Sequence, residues 1–169
     1  MRNRLIVENL PICANIGKKD NPMHVWRLIA HHEDAPAAIA WTQRSNRIAI
    51  GWGLIGDLTS PGFHGPDDIT ASIRGAYPTL NNAHNGGRSL WNLLSMNVGD
   101  LVIVRGKGAP AIVVEVCGPY QFNAPPPNLS GGYNHQREID LTQIDARELW
   151  RQHPMMPGQS PYATLVRCQ

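Results

Sequence analysis

The chain has 169 residues, 42% of them hydrophobic and 17% charged, which suffices to bury a core and is too apolar for a disordered polymer. A formal net charge of +2 excludes a protein that grips nucleic acid by bulk charge alone. Lys18, Lys19 and Lys107 are the only lysines, and the bias to arginine suits phosphate contact and base stacking but equally fits genomic composition.

Residues 1–22, rich in turn formers after LIVENL, read as an N-terminal extension ending at Pro22. Its basic start is interrupted by Glu8 and Asn9, so no signal peptide is expected. No apolar run approaches the ~20 residues that span a bilayer, and no membrane partner is expected. A single domain over residues 23–169 then opens with a strand at HVWRLIA (24–30). EDAPAAIAWTQ (33–43) predicts a short helix with Pro36 in its first turn, and NRIAIGW (46–52) a second strand. PDDITASIRGAY (66–77) predicts a helix with two acidic residues at its positive end. GRSLWNLLSM (87–96) carries apolar residues at 90, 91, 93, 94 and 96, a helical stripe. NVGD turns the chain into the strand LVIVRG (101–106), which a tight turn joins to the longer strand AIVVEVCGPYQF (111–122). APPPNLSGG (124–132) can only be loop, and YNHQREIDLT (133–142) and ATLVRC (163–168) follow as strands. The order implies an α+β domain. Runs such as AIVVEV are apolar on both faces, so the sheet is expected to curve strongly into an open β-barrel flanked by two or three helices.

Cys13, Cys117 and Cys168 are odd in number and widely spaced, which fits neither a disulfide framework nor a zinc site and points to a reducing cytoplasm. His31 and His32 are adjacent, so their side chains diverge, and no metal or cofactor is expected. The unusual feature is IAIGWGLIGDL (48–58), where Trp52 sits between Gly51 and Gly53 at a strand end. Glycines free the backbone and clear bulk from beside an indole, as suits a ring that meets something flat from outside. The competing reading is a core tryptophan at a strand terminus.

Taken in order, IAIGWGLIGDL, SLWNLLSMNVGDLVIV, AIVVEVCGPYQF and YNHQREID resemble the N-terminal reader domain of modification-dependent restriction systems, in the PUA-like superfamily with the EVE and YTH domains. The likeness covers about residues 24 to 168. It departs at Leu94, where the family has an aromatic residue, and at Leu141, where it has tryptophan. No nuclease motif accompanies it. The resemblance implies a module that flips a modified, typically methylated, base into an aromatic pocket, in DNA first and RNA as the alternative, alongside a nuclease or motor subunit or domain. It assigns Trp52 to the pocket wall, with Gly51 and Gly53 beside it.

Trp91 and Tyr120 are further pocket candidates or ordinary packing residues. Asp57 either accepts from an exocyclic amine or caps a turn, and Asn92, like Asn81, Asn82 and Asn85, either reads a base edge or serves locally. His135 and Arg137 alternate onto one strand face; with Arg105, Lys107 and Arg88 they form a candidate phosphate patch or a solvated face. A non-enzyme is expected. The enzymatic rival is an ASCH-like amidohydrolase on modified nucleosides, conscripting Lys107 and Glu115.

Overall fold

A computed structural model describes residues 22–169. The extension assigned to 1–22 lies outside the described residues except for Pro22, as do Cys13, Lys18 and Lys19. In chain order the elements are β1 (Val25–Ile29), α1 (Ala35–Ser45), β2 (Arg47–Ile50), a 3-10 turn (Gly53–Ile55), α2 (Pro66–Ala76), α3 (Ala83–Ser95), β3 (Leu101–Gly106), β4 (Ala109–Phe122), β5 (His135–Leu141), α4 (Ala146–Gln152) and β6 (Leu165–Arg167). The fold is α+β. One six-stranded mixed sheet runs β2-β5-β4-β3-β1-β6, with β1 parallel to β3 and the other neighbours antiparallel.

Two expectations are corrected. In place of an open barrel there is an open sheet, with β2 and β6 as its edges. The described residues hold four α-helices rather than two or three, because ARELWRQ forms the short α4, capped by Asp145 accepting from Glu148 N at 2.8 Å. That helix explains the two-faced apolar strands. On one face Trp26, Leu28, Val102, Val104, Val114 and Val116 meet Ile39, Ile69, Ile73, Leu90 and Leu93 of α1, α2 and α3. On the other, Val25, Leu101, Ile103 and Val113 lie beneath Leu149 and Trp150 of α4. The second face is covered by a helix, so closure is not needed to dry it.

Two junctions fix the frame. Asp100 of the NVGD turn is buried and accepts from His24 N, Asn97 N and Trp26 Nε1, tying the turn to β1. Helix α3 begins at Ala83, four residues ahead of the expected start, so Gly86 and Gly87 are helical rather than part of a turn. Mid-helix glycine costs about 1 kcal/mol relative to alanine. The reason for it here is close approach: a Cβ on Gly87 would collide with Thr70 Oγ1 and lie 2.6 Å from Pro66 O of α2.

Candidate functional site

Beyond β2 the chain reverses through Trp52, which adopts the left-handed conformation (φ 67°, ψ 34°). The neighbouring backbone holds it there. Trp52 N donates to Gly131 O at 3.2 Å and Gly53 N to Gly132 O at 2.9 Å. Trp52 O accepts from His135 Nε2 at 3.3 Å. That donation leaves His135 Nδ1 as acceptor for the Tyr120 hydroxyl at 2.8 Å, and the Tyr120 oxygen in turn accepts from Leu58 N at 3.2 Å. Burial lowers the His135 pKa to about 4, against the smaller opposing pull of the Trp52 carbonyl and Asp57, so the ring is neutral near pH 7. Burial pushes the Tyr120 hydroxyl up to about 12.

The glycines framing Trp52 serve a purpose different from the one expected. A Cβ on Gly51 would lie 2.8 Å from Gly131 O; one on Gly53 would collide with Asn134 Oδ1 and lie 2.7 Å from Gly132 O. They admit the loop before β5 rather than clearing space for the indole. The glycine beneath the indole is Gly86 of α3, where a Cβ would lie 3.0 Å from Trp52 Cε2.

Trp52 borders a cavity of about 310 Å³ whose other large walls are Tyr77, Leu80 and Tyr133. Gly51, Ser130 and Gly131 complete the wall, and His31, His32, Glu33 and Thr164 supply polar groups. The volume falls at the lower end of small-molecule sites, about 300–1,000 Å³. Tyr133 is buried and stacks on His31, with ring centroids 4.8 Å apart and planes at 22°. His31 Nδ1 accepts from Glu33 N and Asp34 N, so its Nε2–H donates to Ser130 O at 3.0 Å and pins the loop to the start of α1. The Tyr77 hydroxyl accepts from Leu54 N at 3.2 Å. Burial, helped by the Glu33 charge, pushes the Tyr133 hydroxyl up to about 12. Burial also lowers the His32 pKa, with His31 adding to the effect.

A second, larger concavity of about 680 Å³ runs between α3 and residues 156–167. Two ties hold its walls together: Asn92 Nδ2 donates to Leu165 O at 3.0 Å, and Leu165 N donates to Ser89 Oγ at 3.1 Å.

Of the residues assigned to a base pocket from the sequence, only Trp52 and Gly51 line the aromatic cavity, with Gly53 directly adjoining. Trp91 is half-buried against the main core, and Tyr120 supports Trp52 through His135 from behind. Asp57 accepts from Thr59 N and Oγ1, the turn-capping alternative. Asn92 and Arg88 line the second concavity instead.

The phosphate patch is corrected at two residues. His135 and Arg137 do share a strand face, but it is the core face, and they are 0% and 4% exposed. Arg137 donates to Gly118 O, Leu93 O and Met96 O, which satisfies the end of α3 and the irregularity between Val116 and Tyr120 on β4. Arg105 lies 5.9 Å over the Trp150 ring on the other side of the sheet, and Lys107 is exposed in the β3–β4 turn.

The alternative enzymatic pair is not assembled. Glu115 pairs with Leu101 at the far end of the ladder from the Lys107 turn, about 20 Å of strand away. Among the described residues no His, Cys, Asp and Glu cluster could hold a metal ion. No described helix is long and apolar enough to cross a membrane.

Tyr77, Tyr133 and Gly86 escaped the sequence reading, which weighs His31 only as a metal ligand. Tyr133 had a signal: it follows Gly131-Gly132, whose carbonyls accept from the backbone of Trp52 and Gly53. No curated protein shows a significant match to this chain. The family model described as Domain of unknown function (DUF8426) matches residues 26–152, most of the sheet and all four helices, and the chain belongs to that family.

Proposed function

We propose that the cavity beside Trp52 takes a modified base flipped out of a nucleic-acid strand, DNA in the first instance. In this proposal the domain is a PUA-like reader of the EVE/YTH type, and it serves as the specificity module of a restriction or defence system with a nuclease or motor partner. One observation carries it: a bulky tryptophan held in the left-handed conformation at the wall of a base-sized cavity that two tyrosines also line.

Stacking on an aromatic ring is worth ~1–3 kcal/mol per base, and flipping costs a few, so more than one wall must contribute. Trp52, Tyr77 and Tyr133 supply apolar aromatic area that a methyl group on the base would extend, a gain of ~1 kcal/mol. Glu33 has no side-chain hydrogen-bond partner among the described residues and lies at the cavity, where its carboxylate accepts from an exocyclic amine. The separation of Lys107 from Glu115 argues against the amidohydrolase reading.

The test is a binding titration against matched oligonucleotides: unmodified DNA, DNA carrying 5-methylcytosine, 5-hydroxymethylcytosine, N4-methylcytosine or N6-methyladenine, and N6-methyladenine RNA. One modification is expected to bind at least tenfold tighter than its unmodified twin. Trp52→Ala should abolish that preference. Glu33→Gln, on an exposed residue that the fold does not need, should weaken it. Equal affinity across the panel with a folded wild-type protein overturns the proposal; tightest binding to the RNA moves the reader to RNA.

A further inference from the structure

The concavity between α3 and residues 156–167 has no part in holding a base, yet it abuts the aromatic cavity. Thr164 lines the cavity while its neighbours Ala163 and Leu165 line the groove. Helix α3 is shared in the same way, with Gly86 under the Trp52 indole and Asn85 and Arg88 in the groove. Its charged lining is of one sign. Arg88 and Arg167 are exposed, neither guanidinium has a hydrogen-bond or ion-pair partner among the described residues, and no Asp or Glu lines the groove. His84 and the Asn85 amide add further polar groups. Arginines without carboxylate partners in a concave wall focus positive potential on whatever lies there.

We infer that this groove holds the sugar–phosphate backbone of the strand whose base enters the Trp52 cavity, with Arg88 and Arg167 on phosphates. The inference rests on the proposed base reading and adds the path of the strand. It also replaces the patch expected from sequence, keeping Arg88 alone and recruiting Arg167 from β6. Continuity with a base-sized cavity selects a polynucleotide over a free anion or an acidic peptide. Contacts of this kind position the strand without reading it, so the two cavities divide the work into grip and recognition.

The test uses the full chain and a double variant, Arg88→Gln with Arg167→Gln, titrated by fluorescence anisotropy with the preferred modified oligonucleotide and its unmodified twin over a range of salt. Arg147→Gln, on the opposite face of the sheet, is the control. The double variant is expected to bind both oligonucleotides at least tenfold more weakly and to keep their affinity ratio. Its plot of log K against log salt should flatten by about 0.7–0.9 per lost phosphate contact. Arg147→Gln should behave as wild type.

Unchanged affinity and slope in the double variant, with wild type still preferring the modified twin, overturns the groove and leaves the base reading intact. Weakening in the double variant, with no preference in wild type, supports the groove and overturns the base reading. Absence of binding by every oligonucleotide overturns both. Polyglutamate competing as well as unmodified DNA also overturns the groove as a nucleic-acid path.

Discussion

Trp52 is held at positive φ, and the other described non-glycine residues in that state are both asparagines, Asn46 and Asn128. Asparagine adopts this region easily, whereas a bulky residue there costs on the order of 1–3 kcal/mol. The hydrogen bonds to the Gly131 and Gly132 carbonyls and from His135 hold the conformation against that cost. Gly86→Ala probes the indole without touching the cavity. The added methyl meets Ile73 Cδ1 at 2.8 Å and the indole at 3.0 Å, while helix propensity favours alanine by about 1 kcal/mol. Thermal unfolding should therefore shift little. Binding of the preferred oligonucleotide should weaken about tenfold, roughly half the energy of one base–aromatic stack, as a titration would show.

His135 gives the site a pH signature. Its folded pKa of about 4 lies below the ordinary value of 6.5, so the unfolded chain takes up the proton first as pH falls. Its contribution to stability is complete above about pH 6.5 and is lost progressively down to about pH 4, where the loss reaches roughly 3 kcal/mol. Denaturant midpoints measured across that window should fall more steeply for wild type than for His135→Gln.

Strand β5 shows how a correct local rule yields a wrong function. The period of two rightly groups His135 with Arg137, yet parity does not say which face is wet. Ile139, in phase with both, belongs to the main core, and a residue-by-residue reading gives that hydrophobic neighbour too little weight. Arg137 is tolerated inside because its planar fork meets three carbonyls at once, including two at the end of α3. Arg137→Met should cost about 3 kcal/mol or more in denaturant unfolding, since buried carbonyls lose their donors. The salt slope of oligonucleotide binding should not change, because no phosphate reaches that side chain. The same logic separates the readable from the hidden in α3. Its apolar stripe was legible, but the start at Ala83 was not, because glycines signal turns unless one knows that another helix presses against them.

Across the molecule, strand positions followed from composition and turn chemistry, and the α+β class followed from their order. The open sheet did not: apolar alternation on both faces is compatible with closure or with a second covering layer, and a seven-residue helix is too short to announce itself. Trp150 on that helix stacks with Arg27 and Arg105 at 5.5 and 5.9 Å and roofs the smaller core. Trp150→Ala should cost about 3 kcal/mol in unfolding and leave base preference untouched, because it acts on the other face of the sheet. The cavity itself was half legible, through Trp52. Its remaining walls come from segments distant in sequence, which only the fold brings together.

The strand that completes the sheet, β6, has only three residues and lies at an edge, held by β1 on one side and by Ser89 and Asn92 of α3 on the other. It borders the groove, and Thr164 just before it borders the cavity. Short edge strands open locally more readily than the core beneath them. The exchange of the Leu165–Arg167 amides with deuterated solvent thus becomes a clock for the whole site: a strand lying across α3 and β6 should slow it, while a ligand on the α4 face should leave it running at its free rate.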